Sequence, residues 1–295
     1  MSAPIVVGYT ATDAGADAVA LGSRIALATG AGIELVLVLP ADDRSVITPP
    51  AAAYDAHVRK QAEDWLSDAA ATVPASVAVS TQVRTAESFA EGLVAAADEL
   101  AASLIVVGAA NGGLRGRHRL GTVATELLHS SDVPVALAPE GSRDVDPSIG
   151  VTRITAAVGT RPGTEALVAE ALALTAAANA ELRLVSLVTV DLPPGVDTGV
   201  IRIAGAAHAG DVLAKARREL PDGLAVEAVT ADGESIEDAV AHLSWEPGEL
   251  ALVGSSRLAQ PRRLFLGSTA AKMLHELPVP MVVVPRTRTT DEKEA

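Results

Sequence analysis

The chain has 295 residues, about the length of two ordinary domains, and a net charge of −14. The charge argues against general binding to nucleic acid or anionic membranes, and an aromatic content of 2% argues against base stacking as a main binding mode. The absence of cysteine excludes disulfides, thiolate catalysis and cysteine-ligated zinc. No apolar stretch approaches the roughly 20 residues of a membrane span, and no secretory signal is visible, so we expect a cytoplasmic protein.

In the first half, short apolar runs alternate with helical patterns, in chain order β, α, β, α, β, α, β, α, β. The runs predict strands at 5–8, 33–39, 77–83, 104–107 and 135–138. The helical patterns lie at 14–28, 51–72, 87–100 and 123–130. Asp13 is predicted to cap the first helix, and Thr85 or Ser88 the third.

The second half repeats this order. Strands are predicted at 153–159, 182–188, 224–229, 250–254 and 279–285, with helices at 164–178, 200–220, 234–244 and 269–276. Continuous apolar strands that alternate with helices indicate parallel sheets covered on both faces. We therefore predict two doubly wound α/β domains at 1–140 and 153–286, each with a five-stranded parallel sheet. Residues 141–152 would form a linker, and 287–295 a disordered tail.

One sequence pattern, a strand followed by a loop and the start of a helix, occurs twice with identical spacing. Gly108 and Gly121-Thr122 in the first copy correspond to Gly254 and Gly267-Ser268, 146 residues later. Both intervening loops are basic and lack carboxylates; their basic residues are Arg115, Arg117, His118 and Arg119, then Arg257, Arg262 and Arg263. Glycine permits close backbone approach, and a helix N-terminus attracts anions, so both loops indicate a phosphate site. The alternative is a pair of ordinary surface loops.

The pattern Gly-x2-Gly-x9-Gly-Ser/Thr after a buried strand resembles the nucleotide-phosphate signature of the universal stress protein family, twice over essentially the whole chain. The resemblance implies Rossmann-like domains with strand order 3-2-1-4-5. It also implies ATP or AMP binding between strands one and four, as in some members. Members pair through strand five, which implies an internal pseudo-dimer of the two domains and leaves a homo-oligomer open. Such pairing would cover the exposed apolar edge of each fifth strand.

Residues matched to the family's site fall in both halves. The matched positions are Thr10, Val38, Gly108, Asn111, Gly121, Thr122, Val123, Gly254, Arg257, Gly267, Ser268 and Thr269. Thr10 stands where ATP-binding members carry an aspartate, and Val38 where a residue lines adenine. Asn111 and Arg257 replace the second glycine; asparagine tolerates left-handed backbone better than arginine does. The first copy is therefore the better candidate on sequence alone.

The sequence supports three hypotheses about function. The leading hypothesis is a stress-response protein that binds an adenine nucleotide and acts through its conformation or partners. No general base or metal site is identifiable in the sequence, so we expect no efficient catalysis, although slow ATP hydrolysis is left open. The first alternative is an interaction module whose phosphate loops have degenerated. The second is an enzyme of the wider adenine-nucleotide α-hydrolase superfamily, which would need further catalytic groups.

Overall fold

The computed structural model of the chain describes residues 2–41, 52–109, 121–160, 163–189, 198–221, 223–255 and 266–285. The side chains of 52–55, 189 and 198–206 are not described. Two of the predicted site residues, Asn111 and Arg257, lie outside the described residues, as do the basic residues of both loops and the predicted tail at 287–295.

The described elements follow the predicted alternation of strands and helices. The strands are β1 (Ile5–Gly8), β2 (Ile33–Pro40), β3 (Val79–Ala86), β4 (Leu104–Gly108), β5 (Val135–Ala138), β6 (Arg153–Ala157), β7 (Glu181–Thr189), β8 (Val226–Gly233), β9 (Glu249–Gly254) and β10 (Met281–Val284). The helices are α1 (Asp13–Thr29), α2 (Ala52–Ala70), α3 (Phe89–Glu99), α4 (Thr122–Ser130), α5 (Thr164–Ala178), α6 (Thr198–Arg218), α7 (Ile236–Ala241) and α8 (Ser268–Glu276).

Some element boundaries differ from the prediction. The outer strands β3 and β8 lie later in the chain than predicted. Each continues to pair with its neighbouring strand after its own apolar residues have ended. The prediction that Asp13 caps α1 was wrong. Thr12 has extended backbone angles, and its hydroxyl accepts a hydrogen bond from the Gly15 amide at 3.3 Å, so Asp13 is the first helical residue. Ser88 caps α3, as one of the two sequence alternatives proposed.

The strands form a single ten-stranded sheet in the order β3-β2-β1-β4-β5-β10-β9-β6-β7-β8. Each half therefore has the predicted order 3-2-1-4-5, with all strands parallel. The fifth strands of the two halves pair with each other in antiparallel register, with Val282 opposite Ala136. The pairing buries both strands completely and joins the halves into an internal pseudo-dimer.

Helices cover both faces of this sheet. One hydrophobic cluster joins the strands to α1, α2, α5 and α6, and a second joins the opposite face to α3, α4, α7 and α8. Alternate residues of one strand enter different clusters: Val7 packs in the first and Val6 in the second. Both clusters run through the two halves, so the halves share their core.

The antiparallel pairing at the centre places the two candidate sites far apart. Ligands of open parallel sheets bind beyond the carboxyl ends of the strands. Because the strands of the two halves run in opposite directions, their carboxyl ends lie at opposite edges of the combined sheet. The two candidate sites are therefore separate, and one ligand could not reach both.

The segment 141–152 forms two short 3₁₀ turns, Ser142–Asp144 and Pro147–Ile149, against α1. Its anchor is Asp17, whose side chain is 2% exposed. The Asp17 carboxylate accepts hydrogen bonds from the backbone amides of Gly141 at 3.2 Å and Arg143 at 2.9 Å. The Arg143 guanidinium adds a third at 2.8 Å. The connection between the halves is thus fixed to the first half by a charged, buried contact.

Candidate functional site

A cavity of about 280 Å³, open to solvent, lies beyond the carboxyl ends of β6 and β9. The beginnings of α5 and α8 form two of its sides, and α6 and α7 contribute the others. The predicted positions Gly254, Gly267 and Thr269 all line it. This is the place where an open parallel sheet binds a ligand.

Gly254, at the end of β9, exposes its backbone to this cavity. Among the described residues, a Cβ atom added there would meet only Leu167 Cδ2, at 4.0 Å. The following amide, of Ser255, donates to the Val284 carbonyl at 2.8 Å and so fixes the turn after the strand. A ligand can therefore approach the backbone at Gly254 closely.

The N-terminus of α8 supplies the polar side of the cavity. Gly267 precedes the helix with φ −70° and ψ 163° and, among the described residues, no side chain caps its first amides. Ser268 is exposed and Thr269 half-buried. The uncapped first turn presents N–H groups and the positive end of the helix dipole, an arrangement that suits phosphate.

The connection from β6 to α5 forms the rim. It has six residues, Val158 to Gly163, of which Arg161 and Pro162 are not described. The Thr164 hydroxyl donates to the Gly159 carbonyl at 2.8 Å, which ties the end of the loop to its beginning. Gly163 has φ +102°, a conformation that glycine adopts without strain.

The remaining wall is largely apolar and contains residues that the sequence did not identify. Leu187 and the buried Ser186 come from β7, Val212 and the exposed His208 from α6, and Ile236 from α7. Leu187 occupies in β7 the position that Val38 occupies in β2, so alignment of the two halves could have identified it. No local pattern marks His208, because α6 reaches the cavity only through the fold.

In the first half, the connection from β1 to α1 is tighter. Only four residues, Tyr9 to Thr12, connect β1 to α1. A Cβ atom added to Gly108 would lie 2.0 Å from the Ala14 carbonyl oxygen, so α1 rests directly on the end of β4. A Cβ atom added to Gly15 would similarly lie 1.9 Å from the Thr10 carbonyl oxygen. The connection in the second half is two residues longer, and there the crevice is open.

The other predicted residues of the first half are placed as follows. The Thr10 hydroxyl lies 2.9 Å from the Thr12 hydroxyl. Val38 is buried, and its methyl groups fill the space beside Gly92 of α3. Gly121 precedes α4, Thr122 is exposed and Val123 is half-buried. The sequence favoured the first copy, whereas the open cavity described here belongs to the second.

A buried charged cluster lies at the opposite edge of the second half, at the amino ends of its strands. Arg153, Arg183 and Glu249 are each less than 9% exposed. The Glu249 carboxylate accepts from Arg153 Nη2 at 2.7 Å and from Arg183 Nη2 at 2.6 Å. Burial lowers the pKa of Arg183, and the Glu249 charge opposes this effect. Because Glu249 pairs with both guanidiniums, the cluster is a structural feature.

The described residues contain neither a metal-binding cluster nor a membrane-spanning helix. No group of three or more histidine and acidic side chains there could hold a metal ion. No helix in the same part of the chain has both the length and the apolar character needed to cross a membrane.

Comparison with known proteins identifies relatives of the whole chain. The sequence profile of the universal stress protein family matches residues 1–139 and again 150–285. Universal stress proteins of Mycobacterium tuberculosis and Mycobacterium bovis are 28% identical over 297 residues, covering 95% of this chain and 99% of theirs. A solved universal stress protein from Archaeoglobus fulgidus is 16% identical, with a TM-score of 0.66 over 97% of this chain and 100% of its own. A solved putative member from Pseudomonas aeruginosa is 16% identical, with a TM-score of 0.57 over 96% of this chain and 93% of its own.

Proposed function

The chain belongs to the universal stress protein family, and from this premise we propose that its second half binds an adenine nucleotide in the cavity between β6 and β9. One observation carries the proposal: the open backbone at Gly254 and the uncapped N-terminus of α8 line the same cavity. The protein would act in the stress response through its conformation or its partners, in the cytoplasm.

The two ends of the cavity suit the two ends of a nucleotide. The phosphates would lie at Gly267, Ser268 and Thr269, where helix amides and two hydroxyl groups are available as donors. The adenine would lie against the apolar wall of Leu187, Val212 and Ile236. A volume near 280 Å³ is at the lower end for ligand pockets, and its open side leaves room for the outer phosphates.

We further propose that the protein works by binding rather than by turnover. Among the described residues that line the cavity, none is a carboxylate that could act as a general base. Adenylylated or hydrolysed product after incubation with ATP would contradict this part of the proposal.

Calorimetric titration of the full chain with ATP, AMP and cyclic AMP tests the proposal. We expect about one nucleotide per chain. Gly254→Val should abolish binding, because its branched side chain would occupy the approach to the backbone. Ser268→Ala should weaken binding about tenfold or more, as expected for loss of one hydroxyl hydrogen bond to a charged group. Thr122→Ala, the matching change in the first half, is the control and should have no effect.

Two results would overturn the proposal. The first is an absence of binding at millimolar nucleotide by a protein whose circular dichroism shows that it is folded. The second is a loss of affinity in the Thr122→Ala variant with none in Ser268→Ala, which would move the nucleotide to the first half.

For the first half a second role, as an interaction or structural module, is favoured by one observation. Gly108 packs against the Ala14 carbonyl, which leaves no room for a side chain beside the end of β4. This half would then support the central strand pairing and the linker. A stoichiometry of two nucleotides per chain would contradict this role.

A further inference from the structure

A second cavity, also of about 280 Å³, lies between the two halves, away from the nucleotide cavity. Arg24, Glu140 and Ser142 line it from the first half and the segment that follows β5. Trp245, Pro247 and Val279 line it from the second half. Side chains from both halves therefore surround a space large enough for a small metabolite.

Arg24 lines this cavity, and within the described residues part of its guanidinium has no hydrogen-bond partner. Its side chain is 1% exposed, and burial lowers its pKa. Nη1 donates to the Pro247 carbonyl at 3.1 Å. Within the described part of the chain, nothing accepts a hydrogen bond from Nε or Nη2. A buried charge without a counter-charge is strongly unfavourable, so we expect an anionic partner at this position.

The geometry of the guanidinium restricts what that partner can be. Nε–H and Nη2–H lie on one edge of the planar group and point in the same direction, as a two-pronged fork. A fork of this kind matches the two oxygens of a carboxylate or phosphate. The whole fork of Arg24 is unpartnered, whereas the remaining nitrogen holds the backbone of the second half.

Glu140 places a buried carboxylate oxygen beside the same cavity. Its Oε2 atom is buried and has no donor among the described residues, and the side chain lines the same cavity. No ion pair joins Glu140 to Arg24 within the described contacts. A simple anion beside Arg24 would be repelled by this carboxylate. A ligand that carries both a carboxylate and an ammonium group would satisfy both residues.

We propose that the cavity between the halves binds a small zwitterion of the amino-acid class. Its carboxylate would pair with the Arg24 fork and its ammonium with Glu140. The methylene groups would pack on Trp245 and Pro247. Because the lining comes from both halves, occupancy would strengthen their association.

Trp245 provides a direct probe of this site. The chain contains two tryptophans, and Trp65 lies on α2 with 42% of its surface exposed. Trp65→Phe therefore leaves Trp245 as the only tryptophan, at the cavity wall. We would titrate this full-length variant with glycine, with acetate, and with sodium chloride as the ionic-strength control, and record emission and melting temperature.

We expect a saturable emission change and a rise in melting temperature with glycine, at millimolar concentration or below. Arg24→Met, which replaces the charge by an apolar chain of similar length, should weaken glycine binding about tenfold or more. It should remain folded, since apolar replacement of a buried charge is often neutral or stabilising. Arg218→Met removes an exposed arginine of α6 and should bind glycine normally.

The Glu140→Gln variant separates the role of the Glu140 charge from that of the Arg24 charge. Glu140→Gln should bind acetate and glycine about equally, whereas the parent should prefer glycine. Equal binding of the two by the parent would overturn the amino-acid class. An absence of saturation with either probe, or unchanged glycine affinity in Arg24→Met, would overturn the site. None of these outcomes depends on nucleotide binding, so failure here leaves the first proposal unaffected.

Discussion

Arg183 and Glu249 form an ion pair inside the second half: Nη2 and Oε1 are 2.6 Å apart, and the side chains are 3% and 0% exposed. The guanidinium carbon of Arg183 also lies 5.0 Å from the centre of the Trp245 ring, where cation–π attraction is favourable. Trp245 is in turn part of the cavity between the halves. The pair therefore holds one wall of that cavity in place.

Glu249→Gln should destabilise the protein strongly, because it leaves the buried guanidiniums of Arg153 and Arg183 without a balancing charge. We expect a loss of about 3–5 kcal/mol in the free energy of unfolding, measured by urea denaturation. The control is Glu246→Gln. Glu246 also pairs with Arg153, at 2.9 Å, but is 53% exposed, so its loss should remove about 1 kcal/mol or less. Equal losses in the two variants would show that burial does not decide the contribution.

The two equivalent glycines should respond oppositely to alanine. Gly108→Ala would force Cβ against the Ala14 carbonyl, so the unfolding free energy should fall by about 1–3 kcal/mol or more. Within the described part of the chain, the new Cβ of Gly254→Ala meets only Leu167 Cδ2, at 4.0 Å. This change should alter stability by less than about 1 kcal/mol, with a small gain from the less flexible unfolded chain. Thermal and urea unfolding of both variants test this. A destabilised Gly254→Ala would mean that the second crevice is also closed.

Asp17 should hold the linker to the first half. Asp17→Ala leaves the amides of Gly141 and Arg143 and the Arg143 guanidinium without their acceptor, and should reduce stability by about 2–3 kcal/mol. Asp13→Ala is the matched control, since Asp13 pairs with the same arginine at 2.9 Å but is 72% exposed. Hydrogen exchange at the Arg143 amide should accelerate in the first variant alone. Unchanged exchange in Asp17→Ala would contradict the anchoring role.

The Arg84 guanidinium, which donates a hydrogen bond to the Glu99 carboxylate, lowers the pKa of Glu99 below its ordinary value of 4.5. The stabilisation from this pair is therefore present above the unfolded pKa and is lost as the pH falls through the lowered, folded pKa. Arg84→Gln should raise the Glu99 pKa towards its ordinary value, as followed by NMR of the carboxyl carbon. Arg218→Gln, on a distant helix, should leave it unchanged. An unmoved Glu99 pKa in Arg84→Gln would refute the assignment.

The sequence predicted most of the local structure because the relevant signals act within a few residues. Apolar runs located the buried strands, and the serine before α3 located its beginning. The left-handed Gly30 ends α1. The edge strands β3 and β8 were placed less well, since hydrogen bonds to a neighbour, and not an apolar pattern, decide where they end.

The site illustrates the limit of local patterns. The sequence showed two copies of one loop with equal spacing, and the residues of each copy ranked the first as the better site. The two halves also differ in the strand-to-helix connection, which has four residues in one half and six in the other. The shorter connection brings Ala14 onto Gly108, two residues more than ninety positions apart in the chain. Leu187 and His208 likewise reach the cavity from other segments.

By itself, then, the sequence determined the duplication, the α/β alternation and the basic glycine loops, because periodicity, capping and spacing are properties of neighbouring residues. The tertiary structure alone decided that a cavity opens beside β6 and β9, and that the carboxyl ends of the two halves lie at opposite edges of one sheet. It also decided that Arg24 meets Pro247 from the other half, with its fork unpartnered. These features depend on distances between segments that only the packed sheet and helices bring together.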